Sequence, residues 1–63
     1  MTTREFQRRV KGICNRFPEL ASDIDAIAQE TYVMIGLGCS PSLEFAEALS
    51  AINKLTGVND EMD

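Results

Sequence analysis

Residues 17–37, FPELASDIDAIAQETYVMIGL, carry the clearest structural pattern in the chain. Their apolar side chains recur with the i, i+3, i+4, i+7 spacing that places them on one face of an α-helix. Pro18 suits the first turn of a helix, where the missing amide hydrogen has no partner to lose. Gly36 or Gly38 is placed to take the left-handed conformation that closes a helix. The stretch therefore predicts a helix over about residues 18–36.

A second helical pattern precedes this stretch. Thr2 and Glu5 match the capping box, in which the side chain of each residue accepts a hydrogen bond from the backbone amide of the other. Apolar residues from Phe6 to Phe17 again follow helical spacing. Gly12 interrupts the pattern, since glycine costs about 1 kcal/mol relative to alanine inside a helix. We predict a first helix over about residues 2–16.

A third pattern follows the glycines. Ser40 and Pro41 are typical of a helix start, and Gly57 is typical of the residue just past a helix end. Together they predict a third helix over about residues 41–56. No segment shows the alternation of apolar and polar residues that marks a half-buried strand. The fold class expected is all-α, with two to three helices.

The length of 63 residues allows one small domain, which we place at residues 1–57, followed by a frayed acidic tail at residues 58–63. Such a domain buries only about 60% of its unfolded surface and needs reinforcement. Cys14 and Cys39, without any histidine, are too few ligands for structural zinc, and we expect no metal or cofactor. No signal peptide is expected, so the cytoplasm is the predicted compartment and a disulfide is disfavoured. Oligomerisation is the reinforcement left, and we predict a homodimer of helices.

The end of the second helix is apolar on every side. A helix end of this kind has to be buried on more than one face, which a single neighbouring helix cannot achieve. We therefore predict that this segment is the interface with a second copy or with another protein. The predicted interface residues are Tyr32, Val33, Met34, Ile35 and Leu37. The alternative is a three-helix monomer that covers this end with Leu43 and Val58.

Charge is divided unevenly along the chain. Residues 1–17 hold five of the six basic residues, whereas residues 18–63 hold nine of the ten acidic residues. A basic helix face can run along nucleic-acid phosphates, and nucleic-acid binding is the second function hypothesis. Its candidate residues are Arg4, Arg8, Arg9 and Lys11. The alternative is that the basic first helix neutralises acidic residues of the second helix, within one chain or across a dimer.

Catalysis and membrane insertion are both disfavoured. The chain lacks histidine, the commonest general base, and is too short to build a closed pocket of several hundred cubic ångströms. Cys39 precedes a helix start, which can lower a thiol pKa, but no partner for a redox or nucleophilic role is found. The longest apolar run, Tyr32 to Cys39, is eight residues, against roughly 20 for a membrane span. We predict a non-enzymatic binding protein with no catalytic residues.

Three short segments carry a resemblance to known proteins: residues 1–4 (MTTR), 17–20 (FPEL) and 38–41 (GCSP). With the length, they resemble small accessory proteins of lambdoid bacteriophages, encoded among the early genes between exonuclease and excisionase. The resemblance covers the whole chain and includes no diagnostic motif. It implies an all-helical, dimeric protein of the host cytoplasm that influences the choice between lysis and lysogeny by binding host or phage partners. It transfers no catalytic residues.

Overall fold

The computed structural model describes residues 1–57 and contains, within that range, three α-helices and no strand. The elements are α1 (Thr3–Arg16), a 3-10 turn (Pro18–Leu20), α2 (Ala21–Gly36) and α3 (Pro41–Thr56). The predicted all-α fold class is confirmed, with three helices close to the predicted bounds. The predicted acidic tail lies outside the described residues.

The start of α1 is fixed by the predicted capping box. The Thr2 hydroxyl accepts a hydrogen bond from the Glu5 amide at 3.1 Å, and the Glu5 carboxylate accepts one from the Thr2 amide at 2.8 Å. These two bonds satisfy amides that have no partner within the helix. The bond from the Thr2 amide is also the main reason why the pKa of Glu5 lies below its ordinary value of 4.5.

The start of α2 falls three residues later than the pattern predicted, at Ala21. Pro18 opens a separate 3-10 turn, in which the Leu20 amide donates to the Phe17 carbonyl at 2.9 Å. Leu20 then lies at φ −106° and ψ 3°, outside the helical region. The tight turn changes the chain direction between α1 and α2 before the regular helix begins.

The end of α2 is closed by Gly38, with φ 106°, whereas Gly36 stays in the helix. The Gly38 amide donates to the Ile35 carbonyl at 3.0 Å, and the Cys39 amide donates to the Met34 carbonyl at 3.1 Å. This pair of bonds is the Schellman motif, which requires a left-handed residue at the first position beyond the helix. Of the two glycines that the sequence offered, Gly38 therefore takes the closing role.

The bounds of α3 follow Pro41 and Gly57. Pro41 occupies the first turn, and Ser40 precedes it in an extended conformation without a side-chain capping bond. The serine thus marks the boundary by position, and its hydroxyl caps nothing. Gly57 adopts φ 80° and donates its amide to the Asn53 carbonyl at 2.9 Å, as predicted for the closing glycine.

The core lies where α1 and α3 both pack against α2. Its buried apolar residues are Phe6, Val10, Ile24, Ala28, Phe45, Ala48 and Ile52. Phe6 joins the three helices, because its ring stacks on Phe45 with centroids 4.5 Å apart and meets the Tyr32 ring edge-on at 5.8 Å. The helices are thereby held in an arrangement that leaves two surfaces open: the end of the α2–α3 hairpin and the groove between α1 and α3.

Candidate functional site

Large apolar side chains stay exposed mainly at one end of the α2–α3 hairpin. Among residues 1–57 six such side chains are exposed, and four of them lie between residues 33 and 43. These four, which we call the apolar patch, are Val33 (60% exposed), Met34 (38%), Leu37 (76%) and Leu43 (63%). Single exposed apolar residues are normal on a protein surface, but a cluster is typical of an interaction site.

The structure divides the predicted interface residues between this patch and the core. Val33, Met34 and Leu37 are exposed, whereas Tyr32 and Ile35 are half-buried and pack against the core. Tyr32 and Ile35 are three positions apart, which places both on the side of α2 that faces inward. Their part in an interface is therefore indirect, through the packing of the helix that presents the other three.

Leu43 belongs to the patch and does not cover it. The monomer alternative required Leu43 to shield the end of α2, but this side chain is 63% exposed. Val58, the other residue of that alternative, lies outside the described residues. Sequence spacing contained a signal for Leu43, because it falls on the opposite side of α3 from Phe45 and Ile52, which form the buried stripe.

A small acidic groove borders the patch. It lies between α2 and α3, encloses about 180 Å³ and includes Met34 of the patch in its wall. Three carboxylate side chains line it, those of Glu30, Glu44 and Glu47. The patch therefore has a negatively charged margin on one side, where basic groups on a binding partner are favoured.

A larger groove lies between α1 and α3 and is called here the α1–α3 groove. It encloses about 610 Å³, with Ile13, Phe45 and Leu49 among its apolar lining residues. Arg9 and Arg16 line its α1 side. Sequence reasoning did not predict this groove.

The four predicted nucleic-acid-binding residues spread over two sides of α1, and Arg8 and Arg9 meet at a surface depression that Met1 and Glu5 also line. All are exposed, and helical spacing places Arg4, Arg8 and Lys11 on the side of α1 turned away from the core, whereas Arg9 lines the α1–α3 groove. Within residues 1–57, no salt bridge joins these basic residues to the acidic residues of α2 or α3. Neutralisation of α1 by α2 within one chain therefore has no contact to support it.

The cysteines are both free and neither approaches a metal site. Cys14 is half-buried, and its thiol lies 3.9 Å from the Ala21 carbonyl, to which it donates a weak hydrogen bond. Burial raises the pKa of the Cys14 thiol, and the negative charge of Asp25 raises it further. Among residues 1–57, no three cysteine or carboxylate groups gather in a way that could hold a metal ion. No helix in the same range is long and apolar enough to cross a membrane.

Comparison with known proteins returns no family model, no curated protein and no solved structure that matches this chain. The resemblance to lambdoid phage accessory proteins therefore stays a hypothesis. A function is inferred from the fold, the exposed surfaces and the distribution of charge.

Proposed function

We propose that the protein is a small, non-enzymatic helical interaction protein that forms a homodimer through the end of its α2–α3 hairpin and acts by binding another protein. The observation that carries the proposal is the apolar patch, in which four large side chains are exposed at one end of the hairpin. Each such side chain contributes about 1.5–3 kcal/mol when it is fully removed from water. A chain of 63 residues has only marginal stability, and an exposed patch of this size therefore favours a partner that covers it.

The simplest dimer pairs the α2 helices of two copies around a twofold axis. Val33 and Leu37 are four positions apart, so they line one side of α2 and can meet the same side chains of the second copy. Met34 and Leu43 extend this apolar surface towards α3. If the resemblance to lambdoid phage proteins holds, the protein that the dimer binds is a host or phage regulator of the choice between lysis and lysogeny.

A matched pair of substitutions tests the dimer interface. Leu37 and Leu55 are both exposed and both lie at the carboxyl end of a helix, where a positive charge favours the helix dipole. We expect Leu37→Lys to shift the protein from dimer to monomer in sedimentation equilibrium, because an ammonium group cannot be buried in an apolar contact without large cost. Leu55→Lys should leave the dimer intact.

Helicity measured by circular dichroism at 222 nm accompanies each mass measurement, so that loss of the dimer is distinguished from loss of the fold. A wild-type protein that is monomeric at all concentrations would contradict the proposed homodimer. A Leu37→Lys variant that keeps the dimer mass would remove the apolar patch from the interface. Tyr32→Asp is a poor test, because this side chain packs against Phe6 in the core.

Nucleic-acid binding is the second candidate, favoured by one specific observation. Arg4, Arg8 and Lys11 are exposed on the outer face of α1 and make no salt bridge within the described part of the chain. Affinity for duplex DNA through these residues would fall steeply with salt. The logarithm of the binding constant plotted against the logarithm of the salt concentration would have a slope near −0.9 for each phosphate contacted. Replacement of all three residues with glutamine should abolish DNA binding. Binding of a protein partner through the apolar patch, by contrast, should change little with salt concentration.

A further inference from the structure

The α1–α3 groove is an apolar channel that no described part of the chain fills. Its α3 wall runs from Ser42 to Asn53, about 16 Å at a rise of 1.5 Å per residue. This length matches three turns of a second helix laid along the groove. Ile13 and Leu49, which are half-buried, offer apolar contacts to such a helix, and the buried Phe45 forms the floor of the groove beneath them.

Charge on the groove is confined to its α1 side. Arg9 and Arg16 are seven positions apart, which places them on one side of α1 about 10 Å from each other. Neither makes a salt bridge within residues 1–57; the Arg16 guanidinium lies 5.7 Å from the ring of Phe17. The α3 side offers uncharged polar groups, among them Ser50 and Asn53. A ligand in the groove is therefore favoured if it carries negative charge along the edge that faces α1.

Gly12 is a further sign that something approaches α1 from outside. It lies in the groove wall between the two arginines, inside a helix, where glycine costs about 1 kcal/mol relative to alanine. Its φ is not positive, and, apart from its chain neighbours and the nearby backbone of α1, no atom of the described chain lies within 4 Å of the place a β-carbon would occupy. The fold of the single chain does not require glycine here. A missing side chain lets another backbone come close to α1 at this point.

From the groove, its one-sided charge and Gly12 together, we propose that the α1–α3 groove docks an amphipathic helix of a partner protein. This helix has an apolar stripe and two carboxylates seven residues apart along one edge. The stripe packs on Ile13 and Leu49, above the buried Phe45, and the carboxylates pair with Arg9 and Arg16. The binding mode is that of a helix in a groove. The surface is separate from the apolar patch and does not depend on the homodimer.

A synthetic peptide tests the proposal. The probe is a 16-residue helical peptide with a leucine stripe and two glutamates seven positions apart; the control peptide has lysines in place of the glutamates. We expect wild-type protein to bind the glutamate peptide and not the lysine peptide in isothermal titration calorimetry. Arg9→Gln with Arg16→Gln should weaken binding about twofold to thirtyfold, the effect of two exposed ion pairs.

The chain offers a matched control on the outer face of α1. Arg4 and Lys11 are also seven positions apart and also exposed, so Arg4→Gln with Lys11→Gln removes the same charge at the same spacing. This variant should bind the glutamate peptide as the wild type does. Equal losses in the two double variants would overturn the proposal, because they would show general charge attraction. Absence of binding by wild-type protein, or equal binding of the two peptides, would also overturn it.

Gly12→Leu tests the groove without removing any contact within the fold. Leucine has a higher helix propensity than glycine and meets open space here, so helicity and Tm should be kept or raised. The side chain projects into the groove, and we expect affinity for the glutamate peptide to fall at least tenfold. Unchanged affinity in this folded variant would overturn the proposal. Loss of self-association instead would place a second copy of the chain in the groove and overturn the assignment to a different partner.

Discussion

Phe6 is the residue whose replacement tests the fold most directly. Its side chain is fully buried, stacks on Phe45 and meets Tyr32 edge-on. A buried Phe→Ala change usually costs about 3–5 kcal/mol. A domain of 63 residues has a total stability of about 3–9 kcal/mol at the usual value per residue. We therefore expect Phe6→Ala to remove a large share of that stability.

Phe6→Leu separates the aromatic contacts from simple burial. Leucine keeps most of the apolar volume but loses both ring–ring contacts, each worth about 0.5–1.5 kcal/mol beyond the buried area. The expected loss in free energy of unfolding is therefore about 1–3 kcal/mol. Urea titration followed at 222 nm measures this loss, at one fixed protein concentration, because the proposed dimer would make the apparent stability depend on concentration.

Gln7→Ala is the control, since Gln7 is exposed and adjacent to Phe6 on α1; its effect should stay within about 0.5 kcal/mol. If Phe6→Leu also stays within that range, the two aromatic contacts do not stabilise the fold. If Phe6→Ala lowers the free energy of unfolding no more than Phe6→Leu does, the assignment of Phe6 to the buried core is wrong.

Two further predictions concern the helix ends. The pKa of Glu5 is below 4.5, mainly because the Thr2 amide donates to its carboxylate. The charged form therefore favours the folded state. In thermal unfolding, wild type should be more stable than Glu5→Gln. This difference in stability should be complete above pH 4.5 and should disappear as the pH falls through the lower pKa of the folded state. A difference that grows as the pH falls would contradict this. Gly57 lies at φ 80°, so Gly57→Ala should lower the free energy of unfolding by about 1–2 kcal/mol. Gly36→Ala should not lower it in the same assay, because Gly36 has helical φ and open space around it. Equal effects of the two substitutions would refute the assignment of conformations.

Local patterns predicted the helices well where a boundary depends on a few neighbouring residues. The capping box of Thr2 and Glu5 and the closing role of Gly57 are of this kind. Neighbouring residues do not decide whether Gly36 or Gly38 closes α2. Both glycines can take a left-handed conformation, and the carbonyls that accept their hydrogen bonds depend on the final turn. The 3-10 turn at Pro18–Leu20 was missed for the same reason, since proline suits the first turn of either kind of helix.

The surfaces were harder to predict than the helices. An apolar helix end gives no sign of which side faces inward, so Tyr32 and Ile35 could not be separated from Val33 and Leu37 before the positions of α1 and α3 were known. The α1–α3 groove likewise depends on how two helices far apart in the chain lie on a third. Gly12 was the available signal, as a costly glycine inside a helix with no local reason for it.

The position of α2 between the other helices has a consequence for the rates of folding. Both packed pairs, α1 with α2 and α2 with α3, join neighbours in the chain, so short loops close first and folding is fast. The stack of Phe6 on Phe45 joins the first helix to the last and closes the longest loop. Because it closes the longest loop, we expect this stack to form late in folding, so its loss should speed unfolding more than it slows folding. We therefore expect the turns to govern how quickly the chain folds and the pair of rings to govern how long it stays folded.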